Sequence, residues 1–453
     1  MRSLLLILAV CLLPSGLFSQ HSGKMEIPDS LSNSAEFSHI GENSNSGLNK
    51  LVFGYHPYWA AKDAYKSYDY SALTHLAYFS YEIDTATGGC ATMHGWDTTP
   101  LIEYAHERNV KVILTVTNFG TAKNNAFLGD TNKQNRFISD VIKVIKQRNG
   151  DGINIDFESV GSSQKARFVT FMKNLYGKMK VEIPGSEVSV ASPAVNWSEA
   201  WDIPGVGQWV DYFMIMCYDY YWPGAPNAGP VAPLHGGSYN VATTIDYYLG
   251  KNVKPDKILL GVPWYGVIWQ VAGEAKNAKT LKEGLSYTYN SMKKYAADYG
   301  RIFDEQYKCP WFRYVENDTF YQGWYDDSLS LALKYSLANE KGLLGIGIWA
   351  INYANGSSEI WEGIKQAFGQ PVSVRAELPL KQGRIIVTDG IFTYYPEAQG
   401  DYTVEIFDLM GNTILSRSHS GVYTEYINSY PGSIYFCRIT RGNETRLYRF
   451  VVF

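Results

Sequence analysis

The chain lacks any apolar run long enough to cross a bilayer. Its longest, Leu4 to Leu13, falls short of the roughly 20 residues a spanning helix needs, so no membrane span is expected. Cysteine is scarce, with 5 in 453 residues. Cys90, Cys217, Cys309 and Cys437 are too scattered for the disulfide framework of a small secreted domain. The 8 histidines are dispersed and join no cysteine at ligand spacing, so neither a metal nor another cofactor is expected. An excess of one charge is missing too. A formal net of −4 leaves no electrostatic footprint for nucleic acid or an anionic membrane surface. Aromatic residues, by contrast, reach 15%, with 35 Tyr and 12 Trp. That excess serves a core or a carbohydrate-stacking surface, and composition alone does not separate the two.

The N-terminus reads as an export signal over residues 1–20: Arg2, the apolar run, then Pro14, Ser15 and Gly16, with a cut near Ser19 or Gln20. A lipoprotein signal would need Cys11 as the acylated residue, but Cys11 comes early and follows the bulky Val10. Residues 21–49, rich in Ser, Asn and Gly, read as a flexible leader. From Lys50 short apolar strands alternate with longer helical segments, the pattern of a parallel sheet. Strands are expected to start at Leu51, Leu73, Val110, Gly152, Glu187, Tyr212, Lys257 and Leu343. Eight of them over about 300 residues predict the α/β class and a (β/α)8 TIM barrel across 50–370. A small insertion near 267–342 interrupts it, and CPWFRYVENDTFYQGWYDD from Cys309 reads as a hairpin turning at Asn317 and Asp318. From 372 to 453 short strands and turn signals predict a small all-β sandwich.

The most informative stretch is DGINIDFE, Asp151 to Glu158. Ile153, Ile155 and Phe157 alternate with Asn154, Asp156 and Glu158, the period of a β-strand. Polar neighbours on one face then sit roughly 6.6 Å apart. Lining up two acids on a buried strand face costs desolvation and mutual repulsion, so folding alone would not select it. An edge strand with a solvated polar face is the alternative. It conflicts with the segment's place between two helical stretches, where strands are buried on both faces. Glu158 is the last polar position of its strand, and catalytic residues of such barrels sit at C-terminal strand ends.

The octet resembles the D-G-x-D-x-D-x-E signature of glycoside hydrolase family 18, the chitinases and their relatives, with Asn154 at the middle Asp. Three further strand ends are similar to the family's pattern. They are Gly54 with Tyr55, then Met216, Cys217, Tyr218 and Asp219, and finally Trp349. The resemblance implies hydrolysis of β-linked N-acetylglucosamine-containing glycans with retention. It also implies that no enzyme carboxylate attacks, an exception to the usual pair of carboxylates. Glu158 would protonate the glycosidic oxygen while the substrate's own 2-acetamido oxygen closes on the anomeric carbon. Asp156 would stabilise the resulting oxazolinium, and Tyr218 would aim the acetamido oxygen. Trp349 would floor the subsite, Tyr55 would line it and Asp219 would support the sugar ring. Asn154 and Met216 complete the expected substrate-binding set, and the Asn154 amide is expected to donate to ionised Asp156. The third strand departs from the pattern, with Thr115, Val116, Thr117 and Asn118 where chitinases usually show S-x-G-G. The Thr117 to Phe119 run is more similar to branches acting on bacterial cell-wall glycan, and Thr115 is left to offer a hydroxyl toward the acids. A chitinase-like enzyme is the leading expectation. The alternatives are an endo-acting hydrolase of N-glycans or peptidoglycan, or a catalytically silent lectin, which would typically have lost the acid.

In the tail, the D-x-x-G turn at Asp408 to Gly411, P-G-x-x-Y from Pro431 and the basic-then-apolar terminus RLYRFVVF carry a second resemblance. They resemble the C-terminal sorting domain of the Bacteroidetes type IX secretion system. That implies the secretion machinery as a partner and a secreted or cell-surface location reached through the periplasm. A generic carbohydrate-binding or adhesive β-module is the alternative. A monomer is expected.

Overall fold

The computed structural model describes residues 47–369, 384–388, 391–407, 413–427, 433–442 and 444–452. The export signal, the leader up to residue 46, the boundary at 370–372, the turn from Asp408 to Gly411, and Pro431 with Gly432 lie outside the described residues.

Eight parallel strands close a barrel: β1 (Leu51–Pro57), β2 (His75–Ile83), β3 (Lys111–Phe119), β4 (Gly152–Glu158), β5 (Glu187–Pro193), β6 (Tyr212–Met216), β7 (Ile258–Pro263) and β8 (Gly345–Trp349). Each starts within two residues of its expected position. Closure comes from β1, which pairs in parallel with β8, Leu51 against Gly345, and with β2, Tyr55 against Ala77.

The alternation of β4 sorts its side chains between two environments. Every residue of the strand is buried. Phe157 points outward, its ring 5.6 Å from Phe127 and 5.5 Å from Phe171. Phe171 belongs to the helix Lys165–Glu182, whose buried Phe168, Met172, Leu175 and Met179 repeat at helical spacing. Helix Thr131–Gln147 covers the neighbouring stretch with Ile138, Val141, Ile142 and Ile145, and its N-cap Asp130 accepts from the amides of Asn132 and Lys133. Each such buried side chain contributes about 1.5–3 kcal/mol. Gly152 opens β4 because a Cβ there would lie 2.3 Å from the Glu187 carbonyl oxygen. The polar half of the strand is thereby turned into the barrel interior.

The insertion is larger than the expected hairpin. It is a five-stranded antiparallel sheet in the order Leu285–Thr288, Tyr265–Val271, Thr319–Tyr325, Cys309–Glu316, Ile302–Asp304, with the helix Tyr289–Tyr299. The expected turn is present, with Asn317 and Asp318 at φ of 48° and 57°. Trp269, Trp311 and Trp324 join the barrel's core, while Ile268, Met292, Phe312 and Tyr325 form a separate cluster. Beside the module, Lys334 of the helix Ser328–Glu340 pairs with Asp326, both side chains fully buried.

The tail forms two antiparallel sheets, as expected of a sandwich. One contains Arg384–Thr388, Ile391–Tyr395 and Tyr423–Tyr426. The other runs Thr413–Ser420, Asp401–Phe407, Ser433–Arg441, Glu444–Val452. Phe392 and Tyr394 from the first share one apolar cluster with Tyr402, Val404, Ile406 and Ile439 from the second. Cys90, Cys217, Cys309 and Cys437 are free thiols. No described helix is long and apolar enough to cross a membrane.

Candidate active site

Asn154, Asp156 and Glu158 are 0%, 2% and 4% exposed, so the strand face with the carboxyl groups faces no bulk water. Tyr55 on β1 reaches across the barrel and donates its hydroxyl to Asn154 Oδ1 at 2.9 Å. The other half of the Asn154 amide donates to Ser189 Oγ on β5, also at 2.9 Å. The expected donation from Asn154 to Asp156 is therefore replaced. The amide is spent on Ser189, which sits directly in register with it.

Asp156 Oδ1 has no hydrogen-bond partner among the described residues. Burial pushes its carboxyl up to about 7, since loss of water penalises the charged form. Thr117 of β3 is its register neighbour, and Thr115 pairs with Asn154. The Thr115 hydroxyl is buried and meets neither acid. At the strand end the Glu158 carbonyl oxygen accepts from Asn124 Nδ2 at 2.6 Å and from the Gly120 amide at 3.1 Å, which fixes where the side chain starts.

Tyr218 follows β6 and is 1% exposed. Burial first, then the neighbouring Tyr55, Asp156, Asp219 and Glu158, holds its phenol well above the usual range, so it stays a proton donor. Met216 closes β6 and is buried beside it. Asp219 adopts a left-handed conformation with φ of 58°. It is partly exposed as a residue, yet burial of its carboxyl pushes the pKa up to about 7, offset by a bond donated by the Tyr265 hydroxyl. Trp349, at the end of β8, lies 4.8 Å from the ring of Phe79 and 5.3 Å from Tyr55. The Gly54 before Tyr55 has no room for a side chain, because a Cβ would sit 2.6 Å from Ile351 Cγ2.

Of the eight expected site residues, Glu158, Met216 and Trp349 end barrel strands and Tyr218 and Asp219 directly follow one, while Tyr55, Asn154 and Asp156 lie further back along their strands, all three buried. Sequence reasoning missed Tyr265, Ser189 and Phe79. Ser189 carried a faint signal as an inward position of its strand; Tyr265 and Phe79 looked like ordinary packing aromatics. Among the described residues no cluster of His, Cys, Asp and Glu has the makings of a metal site.

Residues 51–354 match the family described as glycosyl hydrolases family 18. A cortical fragment-lytic enzyme of Bacillus anthracis is 27% identical over 297 residues, covering 62% of this chain and 65% of the relative. A putative sporulation-specific glycosylase of Bacillus subtilis is 26% identical over 268 residues, covering 55% and 60%. The chain thus spans somewhat under two thirds of each of these relatives. Among solved structures, the fold is similar to a family 18 chitinase from Cycas revoluta in complex with (GlcNAc)3, with a TM-score of 0.64 and 19% identity, over 70% of this chain and 99% of that one.

Proposed function

The chain belongs to the glycosyl hydrolases of family 18, and from that premise we propose how it acts. Its barrel hydrolyses β-linked N-acetylglucosamine-containing glycans with retention, the substrate's acetamido group serving as nucleophile. The observation that carries this reading is the buried row Asn154, Asp156 and Glu158, met across the barrel by Tyr55. Glu158 protonates the glycosidic oxygen as the bond to the anomeric carbon breaks and the acetamido oxygen bonds to that carbon. Water then opens the oxazolinium, giving its proton to Glu158 and its oxygen to the anomeric carbon. Asp156, poised at about 7, is drawn into its ionised form by the positive charge growing on the acetamido group. Tyr218, held protonated, donates to the acetamido oxygen. Trp349 floors the pocket, Met216 closes its wall, and Asp219 meets the sugar ring while Tyr265 steadies it. Asn154 acts on the sugar through Tyr55, since its own amide is committed.

A second reading concerns the polymer. Two bacterial relatives are named for cortex lysis and sporulation, and Thr117 to Phe119 departs from the chitinase pattern. Both features favour a peptidoglycan-type chain over crystalline chitin. The lectin reading is disfavoured because Glu158 is present. The N-terminal apolar run and the tail support export through the periplasm and delivery by type IX machinery to the surface or medium.

Chitin oligomers, N-glycans and peptidoglycan fragments, assayed side by side by mass spectrometry and by NMR of the first-formed anomer, test this function. Products should retain the β-anomer, and oligomers with a free amine at the cut sugar should be inert. Equal cleavage of acetylated and free-amine oligomers would rule out substrate assistance.

A further inference from the structure

Asn118 has no part in the chemistry proposed so far. It stands near the end of β3, where chitinases usually show the last glycine of S-x-G-G. Alternation along β3 turns Thr115 and Thr117 to the side of the acids and Asn118 to the side of its register neighbour Phe157. Phe127 and Phe171 cover that side of Phe157, so Asn118 faces away from the sugar. It is 3% exposed, and Asn124 of the helix Thr121–Leu128 is 0% exposed. Burying two amides in an apolar layer costs free energy unless they are hydrogen-bonded.

Their bonds run in one direction, and the last bond fixes it. The Glu158 carbonyl oxygen can only accept, so Asn124 turns its NH2 group to it, at 2.6 Å. Asn124 Oδ1 is left to accept from Asn118 Nδ2 at 3.0 Å. At the far end Asn118 Oδ1 has no hydrogen-bond partner among the described residues. Backbone pairing does not require this relay. The Gly120 amide already donates to the same carbonyl at 3.1 Å, so apolar residues at 118 and 124 would strand no backbone group.

β4 does need a hold at this point. Its ladder to β5 ends at Ile155 and Val190, whereas its ladder to β3 runs on to Glu158 and Phe119. Asp156, Phe157 and Glu158 are thus paired on one side only. Directly after them Ser159 takes a left-handed conformation, with φ of 61°, which is uncommon for a residue with a Cβ. Its carbonyl accepts from Thr121 Oγ1 at 3.0 Å. Gly120, Thr121 and Asn124, all from one helical turn, therefore grip the carbonyls of Glu158 and Ser159. A strand end paired on one side can drift, and drift at Glu158 would move its carboxyl off the bond it protonates.

We infer that Asn124, oriented by Asn118, is a positioning residue for Glu158. It fixes the backbone at the strand end so that the carboxyl meets the glycosidic oxygen. The inference rests on the reading of Glu158 as the general acid. Loss of either asparagine should therefore weaken proton delivery and leave sugar binding intact.

The test compares kcat/KM of the full chain on two substrates. One is an unactivated N-acetylglucosamine oligomer; the other is a dinitrophenyl glycoside, whose leaving group departs without a proton. The ratio of the two constants does not depend on how much of a variant folds. Asn124→Leu should lose roughly tenfold or more on the oligomer, within the 100-fold that a misplacement of about 1 Å can cost. On the activated substrate it should stay within about threefold, since an acid contributes little there. Oligomer affinity by calorimetry should be kept. Asn118→Leu should shift the ratio in the same direction. Asn124→Asp should restore most of it at about pH 5, where burial keeps the new carboxyl protonated and its O–H a donor. Equal losses on both substrates, no loss, an unmoved ratio for Asn118→Leu, or an Asp variant no better than Leu would each overturn the inference. Glu158→Gln, measured alongside, separates it from the reading beneath it. If Glu158→Gln also leaves the ratio unmoved, the assignment of the acid fails and the inference with it. If Glu158→Gln moves the ratio and the asparagine variants do not, the positioning role alone fails.

Discussion

At the scale of single residues, the buried row of Asn154, Asp156 and Glu158 carries a stability cost that should be measurable. The Asp156 carboxyl titrates at about 7 in the folded chain and near 3.9 when unfolded. The folded state therefore binds the proton more tightly, and stability is lost as pH rises from about 4 through about 7. Asp156→Asn removes that loss. Its gain in Tm over the wild type should be larger at pH 8 than at about pH 4.5, as scanning calorimetry would reveal. A pH-independent gain would mean that Asp156 is not the titrating group. Asp219 gives a second case. The Tyr265 hydroxyl lowers its pKa, so Tyr265→Phe should raise it and move the acidic limb of kcat/KM to higher pH. An unchanged limb would mean that the ionisation of Asp219 does not govern turnover. Asp156 and Glu158 were legible in the sequence because a two-residue period with acids on one face has no packing explanation. Tyr265 and Ser189 were not, because a tyrosine at a strand end and a serine inside a strand are what ordinary packing also produces.

At the scale of elements, the barrel strands could be read because apolar runs between helical stretches must pair in parallel and be buried on both faces. The insertion resisted that logic. Its strands Tyr265–Val271 and Leu285–Thr288 are separated by 13 residues, 272–284, with no strand pattern, and their pairing is set by tertiary contact. Nor did the sequence mark the buried ion pair of Lys334 and Asp326, because both are common surface residues. With both side chains fully buried, removing one partner leaves an uncompensated charge. Asp326→Ala should cost about 3–5 kcal/mol in urea denaturation. Asp326→Leu combined with Lys334→Met should recover most of that loss. A double variant as unstable as the single one would show that lost packing, not the stranded charge, is responsible.

At the scale of the whole molecule, the barrel with its insertion carries the entire candidate site, while the tail has its own apolar cluster. The barrel should fold without the tail. Truncation after Gln370 should leave turnover on a soluble N-acetylglucosamine oligomer within about twofold, within the scatter expected for independent sites. In the native host the truncated enzyme should accumulate in the periplasm if the tail is a sorting address. Normal release with weaker adsorption to insoluble polysaccharide would assign the tail a binding role instead. Every proposed step depends on Glu158, and the most direct test is the turnover of Glu158→Gln on an unactivated β-linked oligomer, with sugar affinity measured by calorimetry on the same preparation. Gln preserves size and hydrogen bonding but has no proton to deliver. Turnover should fall by roughly 100-fold or more while affinity is kept; near-normal turnover would contradict the account.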